Sequence, residues 1–291
     1  MKERLILDVG MHKGQDTAYY LGKGYHVVAI DADGALIARA RKVFSEYVNN
    51  GQLTLVNCAV SEHDGEVEFH ISKNTGFSSL RRPLSDRHGL FKETVKVQSR
   101  TLPGLMREYG VPFYCKIDIE GHDEICLRTL EGLDSLPQYI SVETECIGES
   151  ETLSEEQALG TLNQLHKLGY RRFKLVDQST SRVLDPRVQF YRNTALGNIV
   201  GVIRKNSFLM GIIRRNLLGV VERVKKTNGE IPSSKQGYKF PFGSTGPFGD
   251  DLQGEWLDYE KARQTLLFHR RDYFAVKSSP VGFWCDWHAG L

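Results

Sequence analysis

A chain of 291 residues with ordinary apolar (40%) and charged (25%) content has enough mass for a full enzyme built on one large domain. Its formal net charge of +2 supplies no field of the kind that nucleic-acid binding needs. Five scattered cysteines (Cys58, Cys115, Cys126, Cys146 and Cys285) without a C-x-x-C exclude a disulfide framework and a structural zinc site, and fit a reducing, cytoplasmic setting.

The first predicted strand, 4–9, is the apolar run Leu5-Ile6-Leu7, ending in Asp8-Val9-Gly10 and opening into Met11-His12-Lys13-Gly14. A helix over 14–23 follows, then a second strand over 26–31 that ends in Asp31. An acid closing a second strand suits a ribose diol, since a carboxylate accepts from both hydroxyls. The glycine spacing is G-x-x-x-G, not the G-x-G-x-x-G that seats a pyrophosphate on a helix N-terminus, and Asp8 would repel a phosphate. An acid there suits an ammonium group. S-adenosylmethionine carries an ammonium, a sulfonium and a ribose but no phosphate, so the charge pattern favours it over NAD. No Walker motif is present, and the plain alternative is a ligand-free βα turn. The residues of this sequence ahead of the first strand hold no charged n-region with an apolar h-region, so no signal peptide is expected, and no apolar run is long enough to span a membrane.

Alternation of strand and helix continues. Helices are predicted over 34–48, 101–109, 122–131 and 155–168, and strands over 53–57, 112–118, 138–143 and 171–177. Leu36, Ala40, Val43, Phe44 and Tyr47 are expected on one face of the second helix. Ser154 and Gln157 form a capping box, and Gly169 ends the helix that follows. Residues 58–98 interrupt the pattern with an antiparallel ribbon whose strands are Glu66–Ile71 and Thr94–Val97. The whole reads as an α/β protein with a doubly wound, mostly parallel, Rossmann-like sheet, a ribbon insertion and a C-terminal extension. In such sheets ligands lie beyond the carboxyl ends of the strands, and Asp8, Asp31, Asn57, Asp118 and Glu143 all fall there. Alternation also sets Lys116, Asp118 and Glu120 on one side of the fourth strand and its exit. The bland reading of that run is a solvated ion-pair cluster, but an otherwise apolar central strand needs a partner or ligand for its charges.

Taken together, DVGxxxG, the acid at Asp31, NCAVS at 57–61, GFSSL at 76–80, RTL at 100–102 and, most specific, KIDIEG at 116–121 resemble the FkbM family of S-adenosylmethionine-dependent methyltransferases, from residue 4 to about 178. The resemblance implies the seven-stranded class I methyltransferase fold and O-methylation of a carbohydrate-like hydroxyl on a glycan, a lipid-linked glycan or a natural product. It implies that Asp8, Gly10 and Gly14, with His12 in the same turn, line the methionine end, and that Asp31 holds the ribose. Asn57, Cys58 and Ala59 would flank the adenine, and Asp118 and Glu120 would face the reacting end. Where the family commonly has a small residue after EG, this chain has His122, either a catalytic addition or a neutral variant.

Transfer to an alcohol also needs a base. Candidates are His122, Glu120, Glu143, Glu145, Asp286 and His288, with His122 as base and Glu143 positioning the acceptor. Magnesium held by Asp118 and Glu143 is a second route, and the spacing does not decide for it; no dedicated metal ligands are assigned. The other readings are an N-methyltransferase on a small amine, a non-catalytic cofactor- or glycan-binding module, and a Rossmann oxidoreductase.

Three segments are expected: a core over 1–178, an acceptor-side extension over 179–270, and a terminal segment over 271–291 whose strand carries Asp286 and His288. Residues 204–226 are basic and amphipathic, with Arg204, Lys205, Arg214, Arg215, Arg223, Lys225 and Lys226 against Glu222. They suit either an anionic membrane surface or a helix on the sheet with a solvated basic face. From Tyr238 onward stand twelve of the chain's 29 aromatics, which suit sugar rings or core packing.

Overall fold

The computed structural model describes residues 4–86, 89–144, 154–178, 181–187, 238–241, 243–276 and 283–291. The basic stretch 204–226, Glu145, Cys146 and Phe242 lie outside the described residues. The chain divides into two compact units: Met1–Glu143 with Lys167–Gly169 and Gly290–Leu291, and Thr144–His166 with Tyr170–Ala289.

The first unit is α/β. Its elements begin β1 (Leu5–Val9), α1 (Gln15–Gly22), β2 (His26–Asp31), α2 (Gly34–Val43), α3 (Ser45–Asn49) and β3 (Leu53–Asn57). They continue with β4 (Ala59–Val60), β5 (Gly65–Ser72), α4 (Arg82–Ser85), β6 (Phe91–Arg100), α5 (Leu102–Tyr109), β7 (Tyr114–Ile117), α6 (Asp123–Arg128) and β8 (Tyr139–Glu143). Five strands lie in the order β8-β7-β1-β2-β3, every neighbouring pair parallel. Helices cover both faces of such a sheet, so its strands are apolar without alternation: Ile6, Leu7 and Val9 of β1 are all fully buried. The order reverses between β1 and β7, which puts the ligand crevice of this fold class beyond their carboxyl ends.

Helix starts are set by side-chain caps. Asp33 accepts from Ala35 N–H at 2.8 Å to begin α2, and Thr101 accepts from Gly104 N–H at 3.2 Å to begin α5. The single helix expected over 34–48 is two, because the backbone turns at Phe44 (φ −104°, ψ 26°). The break changes the buried face: Leu36, Ile37, Ala40 and Phe44 point inward, whereas Val43 is exposed.

The expected ribbon is longer than its alternation suggested and gains a third strand. β5 and β6 pair antiparallel, and β4 pairs parallel with β6. The loop after β5 folds back on it through paired backbone hydrogen bonds between His70 and Ser79, 2.9 and 3.0 Å.

The second unit contains α7 (Glu155–Ala158), α8 (Gly160–Leu168, whose last two residues belong to the first unit), β9 (Arg172–Asp177), β10 (Arg182–Val183), α9 (Tyr259–Val276) and β11 (Cys285–Gly290, whose last residue belongs to the first unit). The capping box of Ser154 and Gln157 is formed. β9 lies between β10 and β11. Phe240, Phe248, Phe283 and Trp287 are buried, so these members of the aromatic cluster serve as core. Lys174 is buried too; its ammonium donates to Leu252 O at 2.6 Å and Gly249 O at 3.3 Å and lies 4.1 Å from the Trp256 ring centroid. Asp286 and His288 share one face of β11, where Gln178 donates to Asp286. His288 is buried with neither ring nitrogen paired among the described residues, and burial lowers its pKa to about 3. Among the described residues, no helix is long and apolar enough to cross a membrane.

Candidate active site

Three strand ends of the first unit converge on one turn. Gly10 and Met11 N–H both donate to Ile30 O, at 2.9 and 3.0 Å, tying the turn after β1 to β2. Gly10 has φ +81°, and a Cβ there would stand 1.8 Å from Asp118 O. Only glycine lets the two backbones approach this closely. The same turn holds His12 at φ +50°. Its N–H donates to Asp31 Oδ2 at 2.8 Å, and its ring Nε2 meets Thr75 Oγ1 at 2.8 Å. Burial, then Lys13, lowers the His12 pKa to about 4, so the imidazole is neutral at pH 7.

Asp31 closes β2. Its other oxygen accepts from Asp33 N–H at 2.8 Å. Burial pushes its pKa up to about 7 against the lowering effect of those two donors. Asn57, in register with Asp31, donates to Asp31 O and Ala32 O at 2.9 and 3.1 Å. Cys58 and Ala59 follow, both buried, and burial pushes the Cys58 thiol up to about 11. Gly14 begins α1 against Phe44, whose ring would lie 2.6 Å from an added Cβ.

The KIDIEG segment supplies the opposite wall. Parallel register sets Lys116 beside Asp8. Its Nζ donates to Gly10 O at 3.0 Å and lies 3.4 Å from Asp8 Oδ1 and 3.3 Å from Asp118 Oδ2. Burial alone would lower its pKa, but Asp118 and Asp8 outweigh it and hold the ammonium well above the ordinary lysine value. β7 ends at Ile117, and Glu120 adopts φ +53°, so strand alternation reaches Asp118 and stops short of Glu120. Glu120 O accepts from Ser79 Oγ at 2.7 Å. Asp123 clamps the turn from within, accepting from Ile119 and Gly121 N–H at 3.0 and 2.9 Å. His122, half-buried, has its Nδ1 buried and unpaired among the described residues; burial lowers its pKa. Glu143 is buried at the end of β8.

The fold thus gathers Asp8, Gly10, His12, Asp31 and Asp118, with Asn57 at the next strand end and Glu120 and His122 on the exit turn. Thr75, Ser79 and Asp123, which tie the ribbon loop and the exit turn to this centre, were not singled out as site residues, although Ser79 stands within GFSSL at 76–80. Among the described residues, no group of three or more His, Cys, Asp or Glu is placed to hold a metal.

Residues 8–172 match the methyltransferase FkbM domain. The chain belongs to the FkbM methyltransferase family. Members of the FkbM family are S-adenosylmethionine-dependent methyltransferases, and this chain is one in that general sense. Among curated proteins none matches. Similar solved structures include a phosphoethanolamine N-methyltransferase 2 from Haemonchus contortus in complex with S-adenosyl-L-methionine. It is 10% identical with TM-score 0.37, over 99% of this chain and 48% of that one. A methyltransferase from Geobacter sulfurreducens in complex with S-adenosyl-L-homocysteine is 12% identical with TM-score 0.35, over 99% and 83%. A precorrin-6y C5,15-methyltransferase from Geobacter metallireducens GS-15 is 12% identical with TM-score 0.32, over 60% and 68%.

The residues present fit the FkbM-family cofactor. Asp31 offers spare lone pairs at a strand end, as a ribose diol requires. A pH dependence follows. If Asp31 takes the ribose hydroxyls, they donate to its ionised carboxylate, so binding should favour the form that exists above pH 7. Affinity for S-adenosylhomocysteine should fall about tenfold from about pH 8 to about pH 6. Asp31→Asn should bind more weakly and lose this dependence. Stability runs the other way: a carboxyl with a raised folded pKa binds more protons folded than unfolded, so its contribution declines as pH rises from about 4 to about 7. Calorimetric titration across this range, with flat wild-type affinity, would refute the ribose assignment.

Proposed function

We propose that this FkbM-family methyltransferase is an O-methyltransferase acting on a hydroxyl of a carbohydrate-like acceptor. The observation that carries the reading is His122: a half-buried imidazole on the turn after Asp118, held neutral by burial and therefore able to accept a proton at pH 7. An alcohol must lose its proton during transfer, whereas a neutral amine attacks with its lone pair and needs no base beforehand. S-adenosylmethionine, when bound, supplies an electrophilic methyl group on a sulfonium. The chain's part is to align the acceptor for in-line attack and to take its proton. His122 is the base in this reading, Glu143 positions the acceptor, and Glu120 borders the reacting end. The sugar class rests on the family resemblance, and a cytoplasmic setting on the scattered cysteines. The basic stretch 204–226 would bring the enzyme to an anionic membrane surface if the sugar is lipid-linked.

The test uses methyl transfer from labelled cofactor to panels of sugar alcohols and small amines. Alcohols should be preferred, and His122→Ala should lower kcat by about 10²–10⁴-fold at neutral pH while leaving cofactor affinity within about threefold. A preference for amines, or a His122→Ala rate within about threefold of wild type, would overturn the reading.

A further inference from the structure

We infer that Asp118, rather than Asp8, is the carboxylate that takes the cofactor's amino-acid ammonium, and that Lys116 is a resident counter-ion that closes Asp8 to it. The inference rests on the S-adenosylmethionine reading of the site. Asp8 is the acid that the glycine-turn motif brings to mind, but its side chain is fully buried. Its Oδ2 accepts from Thr17 Oγ1 at 2.5 Å, and its Oδ1 faces the Lys116 ammonium at 3.4 Å. Lys116 is itself buried and fixed by Gly10 O. A ligand ammonium could reach Asp8 only by displacing that lysine from between β1 and β7.

Asp118 meets the same lysine at 3.3 Å but keeps 34% of its side chain exposed. It is therefore the acid of this cluster with a face still open to a ligand. Two carboxylates and one ammonium leave one net negative charge, and the exposed member presents it. Two neighbouring acids are engaged: Asp123 is buried with both oxygens accepting backbone N–H groups, and Asp31 receives His12 and Asp33 N–H. Lys116 is then a positioning residue. It joins the turn after β1 to the exit of β7 through Gly10 O and sets the charge that the ligand meets.

Calorimetry with two probes separates the possibilities. S-adenosylhomocysteine carries the amino-acid part, and 5′-methylthioadenosine keeps the adenosine and thioether without it. Asp118→Asn should weaken S-adenosylhomocysteine about tenfold or more and 5′-methylthioadenosine less than about twofold. Asp8→Asn should leave the ratio of the two affinities within about twofold and lower the melting temperature instead. If Asp8→Asn does not fold, Asp8→Asn with Lys116→Met removes both buried charges, and this variant should still prefer S-adenosylhomocysteine. Loss of that preference in either Asp8 variant, or its survival in Asp118→Asn, overturns the inference. If the wild-type protein binds neither probe, the cofactor reading itself fails and the inference goes with it.

Discussion

Replacing Gly10 with alanine should abolish cofactor binding and cost about 4 kcal/mol or more of stability, while the same change at Gly24 should cost about 1–2 kcal/mol. The two glycines have nearly the same backbone conformation, φ +81° and +82°, so the penalty of a left-handed L-residue is common to both. Their surroundings differ. An added Cβ at Gly24 meets nothing within 4 Å, whereas at Gly10 it meets Asp118 O at 1.8 Å. A carbonyl in a parallel sheet's exit turn cannot rotate aside as a side chain can. The turn after β1 must separate from β7, taking with it Lys116's bond to Gly10 O and Asp118 N–H's bond to Val9 O. Gly14 falls between them, since its added Cβ meets the Phe44 ring at 2.6 Å, and a ring can shift. Thermal melts should rank the alanine variants Gly24, Gly14, Gly10 in increasing damage. Titration of Gly10→Ala with S-adenosylhomocysteine should show affinity reduced at least about a hundredfold. A Gly10→Ala melting temperature equal to that of Gly24→Ala would remove the close-approach argument.

Much of this site is legible in the sequence because it sits where strands end. Asp31, Asn57 and Glu143 are the last residues of β2, β3 and β8, Asp118 follows β7, and Asp8 is next to last in β1. Short apolar runs stopped by a polar residue are visible without a structure, and the alternating helices fix the strands as parallel. Lateral order is another matter. That Lys116 lies beside Asp8 depends on β7 being β1's neighbour, and residues 108 apart in sequence carry no local mark of it. The loop bonds of Thr75 to His12 and Ser79 to Glu120 O are hidden for the same reason. The break at Phe44 and the two-residue strand Ala59–Val60 were hidden differently: one turn of a helix and one pair of strand residues are shorter than the periods that pattern reading needs. Beyond residue 238, buried Phe240, Phe248, Phe283 and Trp287 belong to the core rather than to an open aromatic surface, a choice composition leaves undecided.

The lysine that sequence order hides should also be the most costly charge to remove. Lys116→Met leaves Asp8 fully buried with Thr17 Oγ1 as its remaining polar contact, and stripping one partner from a buried ion pair costs about 3–5 kcal/mol. The loss should carry a pH signature with a definite sign. In the wild-type protein the Lys116 pKa lies well above the ordinary lysine value. A raised lysine pKa contributes stability that is complete below the unfolded value and is lost only as pH rises through the folded one, so near neutrality the lysine adds no slope. In Lys116→Met, burial without a counter-ion should raise the Asp8 pKa. The folded state then holds a proton that the unfolded state releases, and stability should fall as pH rises from about 4 towards neutrality. Adding Asp8→Asn removes the titrating group. The double variant should be more stable than Lys116→Met at neutral pH and should lose the added slope. Denaturant titrations of the three variants and the wild type at several pH values measure both effects. A Lys116→Met protein as stable as wild type, or one whose added pH slope survives Asp8→Asn, would show that the buried pair does not hold the turn after β1 against β7.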